Sequence, residues 1–155
     1  MSTQPLLARV SARALRTRWL VRAPIWLYRA GLGFLLGRRL LMLEHVGRTT
    51  GARRYVVLEV VDHPDSSTFV VVSGFGESAQ WYRNVLAHPG VRVSCGRHRS
   101  IPATAVPMTE EESAEALAAY QVRHPRAWQQ LKQTIEVAVG APVTSLPMVR
   151  LSLTR

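Results

Sequence analysis

The sequence predicts an α+β fold, namely a small, mostly antiparallel β-barrel of about six strands with flanking helices. Short runs rich in valine recur between turns that contain glycine or proline. Near the C-terminus, apolar residues recur instead at helical spacing. Closing the strands into a barrel would leave no exposed sheet edges, which favours a barrel over an open sheet.

Six segments have the composition of strands. The unbroken Phe-Val-Val-Val run in residues 68–73 predicts a strand that is buried on both faces. The segment that begins at His98 contains Pro102, which lacks an N–H group and is therefore expected towards an edge of the sheet. The predicted strands are residues 40–46, 55–62, 68–73, 91–95, 98–106 and 148–153.

Helix signals mark three further segments of the same region. Residues 78–87 follow a glycine-rich loop, and Thr109 with Glu112 three residues later is a capping box. Pro125 occupies a favoured first position of a helix, and Gly140 a favoured end. The predicted helices are residues 78–87, 109–123 and 125–137.

The first 37 residues differ in composition from residues 38–155, which we predict to form the barrel domain. Residues 6–21 predict a basic amphipathic helix, and residues 25–36 are strongly apolar. The apolar run is shorter than the roughly 20 residues that a membrane span needs. Two interpretations of residues 1–36 stay open: packing on the barrel or a partner subunit, or contact with an anionic membrane surface.

The chain carries a net charge of +10 over 155 residues, almost all of it from arginine. This charge indicates an anionic partner such as a polyanionic cofactor, membrane lipid or nucleic acid. Cys95 is the single cysteine, so an intrachain disulfide is excluded and a reducing cytoplasm is expected. Because Cys95 lies in a predicted strand, we expect it in the core. No metal site is expected.

A basic turn between the first two predicted strands is the first candidate site. Its glycines permit unusual backbone angles and are expected to let N–H groups approach a ligand. Its hydroxyl and guanidinium groups are suited to binding phosphate. The candidate residues are Gly47, Arg48, Thr49, Thr50, Gly51 and Arg54.

A second motif begins where the third predicted strand ends and leads into a helix, whose N-terminus favours anions. Trp81 and Tyr82 follow, and flat rings suit a flat ligand. Consecutive helical side chains diverge by about 100°. We therefore expect one ring to pack into the barrel and the other to border the ligand groove. The candidate residues are Ser73, Gly74, Trp81, Tyr82 and Asn84.

The order of these motifs over residues 40–107 resembles the deazaflavin (F420)-dependent nitroreductase family, split β-barrel oxidoreductases. The resemblance implies hydride transfer from reduced F420 to a quinone, nitroaromatic or other activated conjugated acceptor. Gly47, Arg48, Thr49, Gly51 and Arg54 match its phosphate-binding turn. Ser73, Gly74, Trp81, Tyr82 and Asn84 match its ring-side loop. Thr49 stands where members often have lysine. The loop of residues 74–80 is short and lacks a lysine that some members use for the cofactor's acidic tail, so Arg53 or an N-terminal arginine is the candidate to bind this tail.

The sequence contains no nucleophile–base motif of its own, which fits an enzyme whose cofactor supplies the chemistry. The dispersed histidines are expected at the surface or in turns; they are His45, His63, His88, His98 and His124. An FMN-binding split-barrel reductase and a non-catalytic basic module that binds a cofactor or nucleic acid stay as alternatives. A cytoplasmic protein is expected, peripheral on the inner face of the membrane if residues 1–36 bind lipid. Whether it forms a homodimer stays open, and no nucleic acid is expected for the reductase.

Overall fold

The computed structural model describes residues 39–143 and 145–154. Six strands in this part of the chain form a closed barrel in the order β1-β2-β3-β6-β5-β4, and every neighbouring pair is antiparallel. The predicted barrel is therefore confirmed. The strands are β1 (Leu40–Val46), β2 (Arg53–Asp65), β3 (Thr68–Val72), β4 (Gly90–Cys95), β5 (His98–Pro107) and β6 (Met148–Leu153).

Three α-helices accompany the barrel in the described residues: α1 (Gln80–Ala87), α2 (Glu110–Arg123) and α3 (Pro125–Val139). A short 3-10 helix, Gly76–Ser78, precedes α1. The capping box of α2 is present, because Thr109 Oγ1 accepts from the Glu112 N–H at 3.1 Å and Glu112 Oε1 accepts from the Thr109 N–H at 3.2 Å. Gly140 ends α3 with a φ of 75°, the left-handed conformation that favours glycine.

The apolar core has two parts separated by the barrel wall. One fills the barrel, and the other lies where α2 and α3 cover the outside of the wall. Strand β3 contributes to both, with Phe69 and Val71 on the inside and Val70 and Val72 on the outside. This alternation confirms that β3 is buried on both faces. Cys95 is buried inside the barrel, as expected.

The expectation that Pro102 marks a sheet edge is wrong. Strand β5 pairs with β4 on one side and with β6 on the other, because the barrel is closed. Pro102 is tolerated because it lies just outside the β5–β6 ladder. The last pair of that ladder is Ala103 opposite Leu153, one residue away. Beyond that pair, the N–H of Thr154 donates to the Pro102 carbonyl at 2.8 Å, so the missing N–H of proline disrupts no pair of the β5–β6 ladder.

The predicted N-terminal segment, residues 1–37, lies outside the described residues. Within the described ranges, no helix combines the length and the apolar character needed to cross a membrane.

Candidate functional site

The two sequence motifs meet where the turn between β1 and β2 contacts α1. The Arg48 guanidinium donates through Nη1 to Asn84 Oδ1 at 2.8 Å and through Nη2 to Gln80 Oε1 at 2.9 Å. The main-chain N–H of Arg48 donates to the same Asn84 oxygen at 3.2 Å. Gln80 and Asn84 are four residues apart, so they share one face of α1. Arg48 therefore ties the turn to the helix.

Arg48 is oriented without being neutralised. Its side-chain acceptors are amide oxygens, which direct a guanidinium but carry no net charge. The ion pairs found among the described residues involve other arginines, at positions 39, 53, 123 and 150. A half-buried guanidinium in this setting keeps its charge available for an anionic ligand.

The N–H groups of both glycines in the turn form hydrogen bonds within the turn itself. The Gly47 N–H donates to the Ala52 carbonyl at 2.9 Å, and the Gly51 N–H donates to the Gly47 carbonyl at 2.9 Å. The expectation that these N–H groups face a ligand is therefore wrong, because the tight turn consumes them. Gly51 is required by its φ of 70°, and a Cβ on Gly47 would lie 2.7 Å from Thr50 Oγ1. The glycines thus shape the turn.

The turn exposes several polar side chains. Thr49, Thr50 and Arg54 are all exposed. Arg54 lies opposite His45 in the β1–β2 ladder, and its Nε would be 3.2 Å from a Cβ on Gly47, so its side chain extends along the turn. Arg53 is partly neutralised by Glu44, with Nε and Oε1 3.6 Å apart.

His45 is a site residue that the sequence interpretation missed. It is only 4% exposed, and its Nδ1 lies 3.1 Å from Asn84 Nδ2. Burial, aided by the positive charge of Arg54, lowers the pKa of His45 to about 4, so the ring is neutral at neutral pH. The surface assignment is wrong for this residue. A signal was available, since His45 follows Leu41 and Leu43 at the two-residue period of the inward face of β1.

The remaining histidines are not part of this network. His88, His98 and His124 are exposed, in agreement with the expectation. His63 is half-buried and stacks on Phe69, with ring centroids 4.2 Å apart.

The loop after β3 is held by Ser73 and Gly74. Ser73 is fully buried, and its Oγ donates to the Gly76 carbonyl at 2.7 Å while its N–H donates to the Pro147 carbonyl at 2.9 Å. A Cβ on Gly74 would lie 3.1 Å from Ile135 Cγ1 on α3. Both residues therefore shape the loop and its packing against α3.

Trp81 and Tyr82 are both buried, each 7% exposed, and both belong to the core inside the barrel. Their rings meet edge to face, with centroids 5.9 Å apart and an interplanar angle of 85°. The expectation that only one of them packs into the barrel is wrong. The buried face of α1 comprises Trp81, Tyr82, Asn84 and Val85, which is wide enough to include two consecutive side chains.

The resemblance also suggests Tyr120 and Trp128 for the acceptor side, but both are core residues at 2% and 8% exposure. The Tyr120 hydroxyl donates to Glu59 Oε1 at 2.5 Å, an oxygen that also accepts from Arg39 Nε at 3.2 Å. Burial, together with the Glu59 carboxylate, raises the pKa of Tyr120, so its hydroxyl stays protonated. Trp26 and Tyr28, which the resemblance also suggests, lie outside the described residues.

Solved structures with the same fold are similar to this chain at low sequence identity. An F420H2-dependent reductase, FDR-A, is 22% identical with a TM-score of 0.52, over 75% of this chain and 96% of that one. A chain described as a domain-swapped dimer is 21% identical with a TM-score of 0.55, over 94% of this chain and 99% of that one. A candidate pyridoxamine 5′-phosphate oxidase from Listeria innocua is 15% identical with a TM-score of 0.53, over 83% of this chain and 94% of that one. The fold is thus the split barrel.

Family membership rests on a more specific match. No curated protein matches the sequence. The model of the F420H(2)-dependent quinone reductase family matches residues 20–143, which include the basic turn, the glycine loop and α1. The chain therefore belongs to the F420H2-dependent quinone reductase family, which confirms the resemblance inferred from its two motifs.

Proposed function

We propose that this protein binds F420H2 between the β1–β2 turn and α1 and reduces a quinone or a similar activated conjugated acceptor. The observation that carries the proposal is the Arg48 guanidinium, which two amide oxygens on α1 hold in place without neutralising it. Family membership supports the cofactor and the reaction class.

The polar side chains of the turn fit the phosphate of this cofactor. Arg48 and Arg54 are two cations, and Thr49 and Thr50 add two hydroxyl groups beside them. Guanidinium and hydroxyl groups are the donors that proteins commonly use for phosphate oxygens. The side chain of Arg53 is 79% exposed, which leaves it able to meet the acidic tail of the cofactor. Ala79, which has no side-chain acceptor, occupies the N-cap of α1, so the helix end adds partial positive charge.

Reduced F420 supplies the hydride when it is bound, and the residues of this chain hold and orient the cofactor. Asn84 and Gln80 hold Arg48 from the helix side. Trp81 and Tyr82 anchor α1 in the barrel core, and we assign them a supporting role beneath the cofactor. Ser73 and Gly74 fix the loop that leads into α1.

Phe75 is the aromatic residue that best suits the acceptor side. It is 63% exposed in the loop between β3 and α1, although a large apolar side chain gains from burial. Its backbone is fixed, because the Gly76 N–H donates to the Ser73 carbonyl at 3.1 Å and Ser78 Oγ donates to the Phe75 carbonyl at 3.0 Å. A ring presented in this way can stack on a planar acceptor.

The test is direct binding. The purified protein is incubated with F420 or FMN and gel-filtered, the protein-bound absorbance is recorded, and F420H2 oxidation is followed with menadione. We expect F420 to co-elute, and Arg54→Ala to weaken its affinity about tenfold or more because a charge-assisted hydrogen bond is lost. Stoichiometric FMN retention without F420 binding would refute the proposal. Binding of single-stranded nucleic acid with neither cofactor bound would instead favour the basic binding module.

We also propose that the protein assembles as a homodimer. The support is the structurally similar chain described as a domain-swapped dimer, which covers 94% of this chain. Sedimentation equilibrium over a range of concentrations tests this, and a monomer at all of them would contradict it.

For location, we propose a cytoplasmic protein whose residues 1–36 contact an anionic membrane surface, where lipophilic quinones reside. The basic and apolar composition of these residues supports this. Flotation with anionic liposomes compares the full chain with a variant that starts at Arg38. We expect only the full chain to float at low salt, and equal behaviour of the two would contradict the proposal.

A further inference from the structure

We propose that His45 is a positioning residue of the cofactor site: through its Nδ1 it fixes the amide of Asn84, which in turn holds the Arg48 guanidinium. The inference rests on the proposed function, because it concerns how Arg48 is presented to the cofactor. It adds a residue on β1 to a site otherwise built from the turn and α1.

The direction of each hydrogen bond in this chain follows from the chemistry of its ends. Arg48 offers a main-chain N–H and Nη1, which only donate, so the Asn84 atom that faces both must be the oxygen. The amide nitrogen of Asn84 then faces His45 Nδ1 at 3.1 Å. Because Nδ2 only donates, Nδ1 must accept, and the ring proton lies on Nε2.

Burial makes this arrangement necessary. Asn84 is 2% exposed and His45 is 4% exposed, so bulk water is a poor substitute for either partner. The lowered pKa of His45 keeps Nδ1 unprotonated at neutral pH and thus able to accept.

Without the acceptor on His45, the side-chain amide of Asn84 would be free to adopt either of its two orientations. In the opposite orientation, the NH2 group of Asn84 would face the donors of Arg48, and no hydrogen bond could form between them. Arg48 would then keep only its bond to Gln80, whose side chain is exposed. The expected consequence is a guanidinium that is less well placed for the cofactor's phosphate.

Three substitutions of His45 separate the acceptor from the packing. In His45→Asn, an oxygen takes the δ position that Nδ1 occupies; His45→Leu has a similar size but no acceptor, and His45→Gln moves the acceptor to the ε position. We expect His45→Asn to bind F420 within about threefold of wild type and His45→Leu to bind about tenfold more weakly, because a buried donor loses its partner. His45→Gln should resemble His45→Leu. Equal losses in His45→Asn and His45→Leu would overturn the inference.

A double-mutant cycle shows whether His45 acts through Arg48. His45→Leu is combined with Arg48→Met, and the dissociation constant for F420 is measured for each single and double variant. We expect the effect of His45→Leu to disappear when Arg48 is already replaced. The same fold-loss in both backgrounds would show that His45 acts by another route, which contradicts the inference.

A readout without cofactor makes the two proposals distinguishable. Nitrogen-15 NMR of the histidine rings in the apo protein should show His45 Nδ1 unprotonated and Nε2 protonated at neutral pH. His45→Leu should shift the side-chain amide signals of Asn84, whereas His45→Asn should shift them less. A proton on Nδ1 would refute the positioning role, whereas failure of the wild type to bind F420, with the expected NMR pattern, would refute the proposed function.

Discussion

Arg48 and Asn84 are 36 residues apart in sequence, yet one side-chain oxygen of Asn84 accepts both the main-chain N–H and Nη1 of Arg48, at 3.2 and 2.8 Å. Two bonds to one buried oxygen fix both the path of the turn and the direction of the guanidinium. The turn and α1 therefore behave as one unit.

Asn84→Ala is expected to lower both stability and cofactor affinity. The substitution leaves the donors of Arg48 without their acceptor and His45 Nδ1 without its donor, which costs about 1–3 kcal/mol in the free energy of unfolding. F420 affinity should also fall about tenfold or more, because Arg48 is no longer held. Urea unfolding and cofactor titration measure the two effects.

Gln80→Ala is the matched control for Asn84→Ala. Gln80 also accepts from Arg48, but it is exposed, so water can replace it. The free energy of unfolding of Gln80→Ala should stay within about 0.5 kcal/mol of the wild-type value. If Gln80→Ala proved as destabilising as Asn84→Ala, burial of the Asn84 oxygen would not be the cause of its effect.

Gly74→Ala should destabilise the protein although Gly74 has no positive φ. Its Cβ would lie 3.1 and 3.3 Å from the Cγ1 and Cδ1 atoms of Ile135, so the Ile135 side chain would have to shift by a few tenths of an ångström. Overpacking of this kind costs about 1–3 kcal/mol. Gly90→Ala is the control, since no atom lies within 4 Å of its Cβ position.

The cause of the Gly74 effect is tested by a second substitution on α3. Ile135→Val removes the Cδ1 methyl, so Gly74→Ala should cost less in that background than in the wild type. Thermal unfolding of the four proteins measures the coupling. A purely additive result would show that the Cδ1 methyl of Ile135 is not what opposes a side chain at position 74.

Much of the barrel was predictable, because strand burial leaves a periodic pattern in the sequence. The bounds of β1 and β6 agree with the prediction. Strand β2 extends beyond it at both ends, through Arg53 and Arg54 and through Asp65, because these polar residues are paired with β1 or β3 at the barrel rims. Such pairing cannot be predicted from the polarity of the residues. The helix predicted from residue 78 begins instead at Gln80, since Ala79 has an extended ψ of 133°.

The candidate site was predictable as a pair of motifs but not as a network. The family resemblance predicted that the turn and α1 belong to one site. It could not predict the hydrogen bonds between Arg48, Asn84 and His45, because these depend on contacts between distant parts of the chain. The glycines of the turn illustrate the limit. Their spacing indicated a tight loop, and only the structure shows that the N–H groups of Gly47 and Gly51 are consumed inside it.

Phe75→Ala is expected to affect the acceptor rather than the cofactor. The side chain is 63% exposed, so its removal should leave the melting temperature nearly unchanged. The KM for menadione should rise, while the dissociation constant for F420 should change little. Val122→Ala is the control, an exposed apolar residue on α2 at 81% exposure, for which all three quantities should stay at their wild-type values. An unchanged KM in Phe75→Ala would remove Phe75 from the acceptor site.

The pH dependence of stability should report directly on His45. Its pKa in the folded protein is lowered to about 4 from an ordinary value of 6.5, chiefly by burial and additionally by the Arg54 charge. Between these values the unfolded chain binds the proton more readily than the folded one does. The stabilisation from a neutral His45 is therefore fully present above pH 6.5 and is lost as the pH falls towards 4.

His45→Asn isolates this contribution, because it keeps an acceptor for Asn84 but cannot titrate. The free energy of unfolding is measured by urea for both proteins at several pH values from 7.5 to about 4. The two proteins differ only at position 45, so a pH-dependent difference between their free energies of unfolding reflects His45. We expect the wild type to lose stability relative to His45→Asn as the pH falls from 6.5, with the two curves parallel above that value. A difference that stays constant over the whole range would show that the pKa of His45 is not lowered, and a relative gain at low pH would show that it is raised.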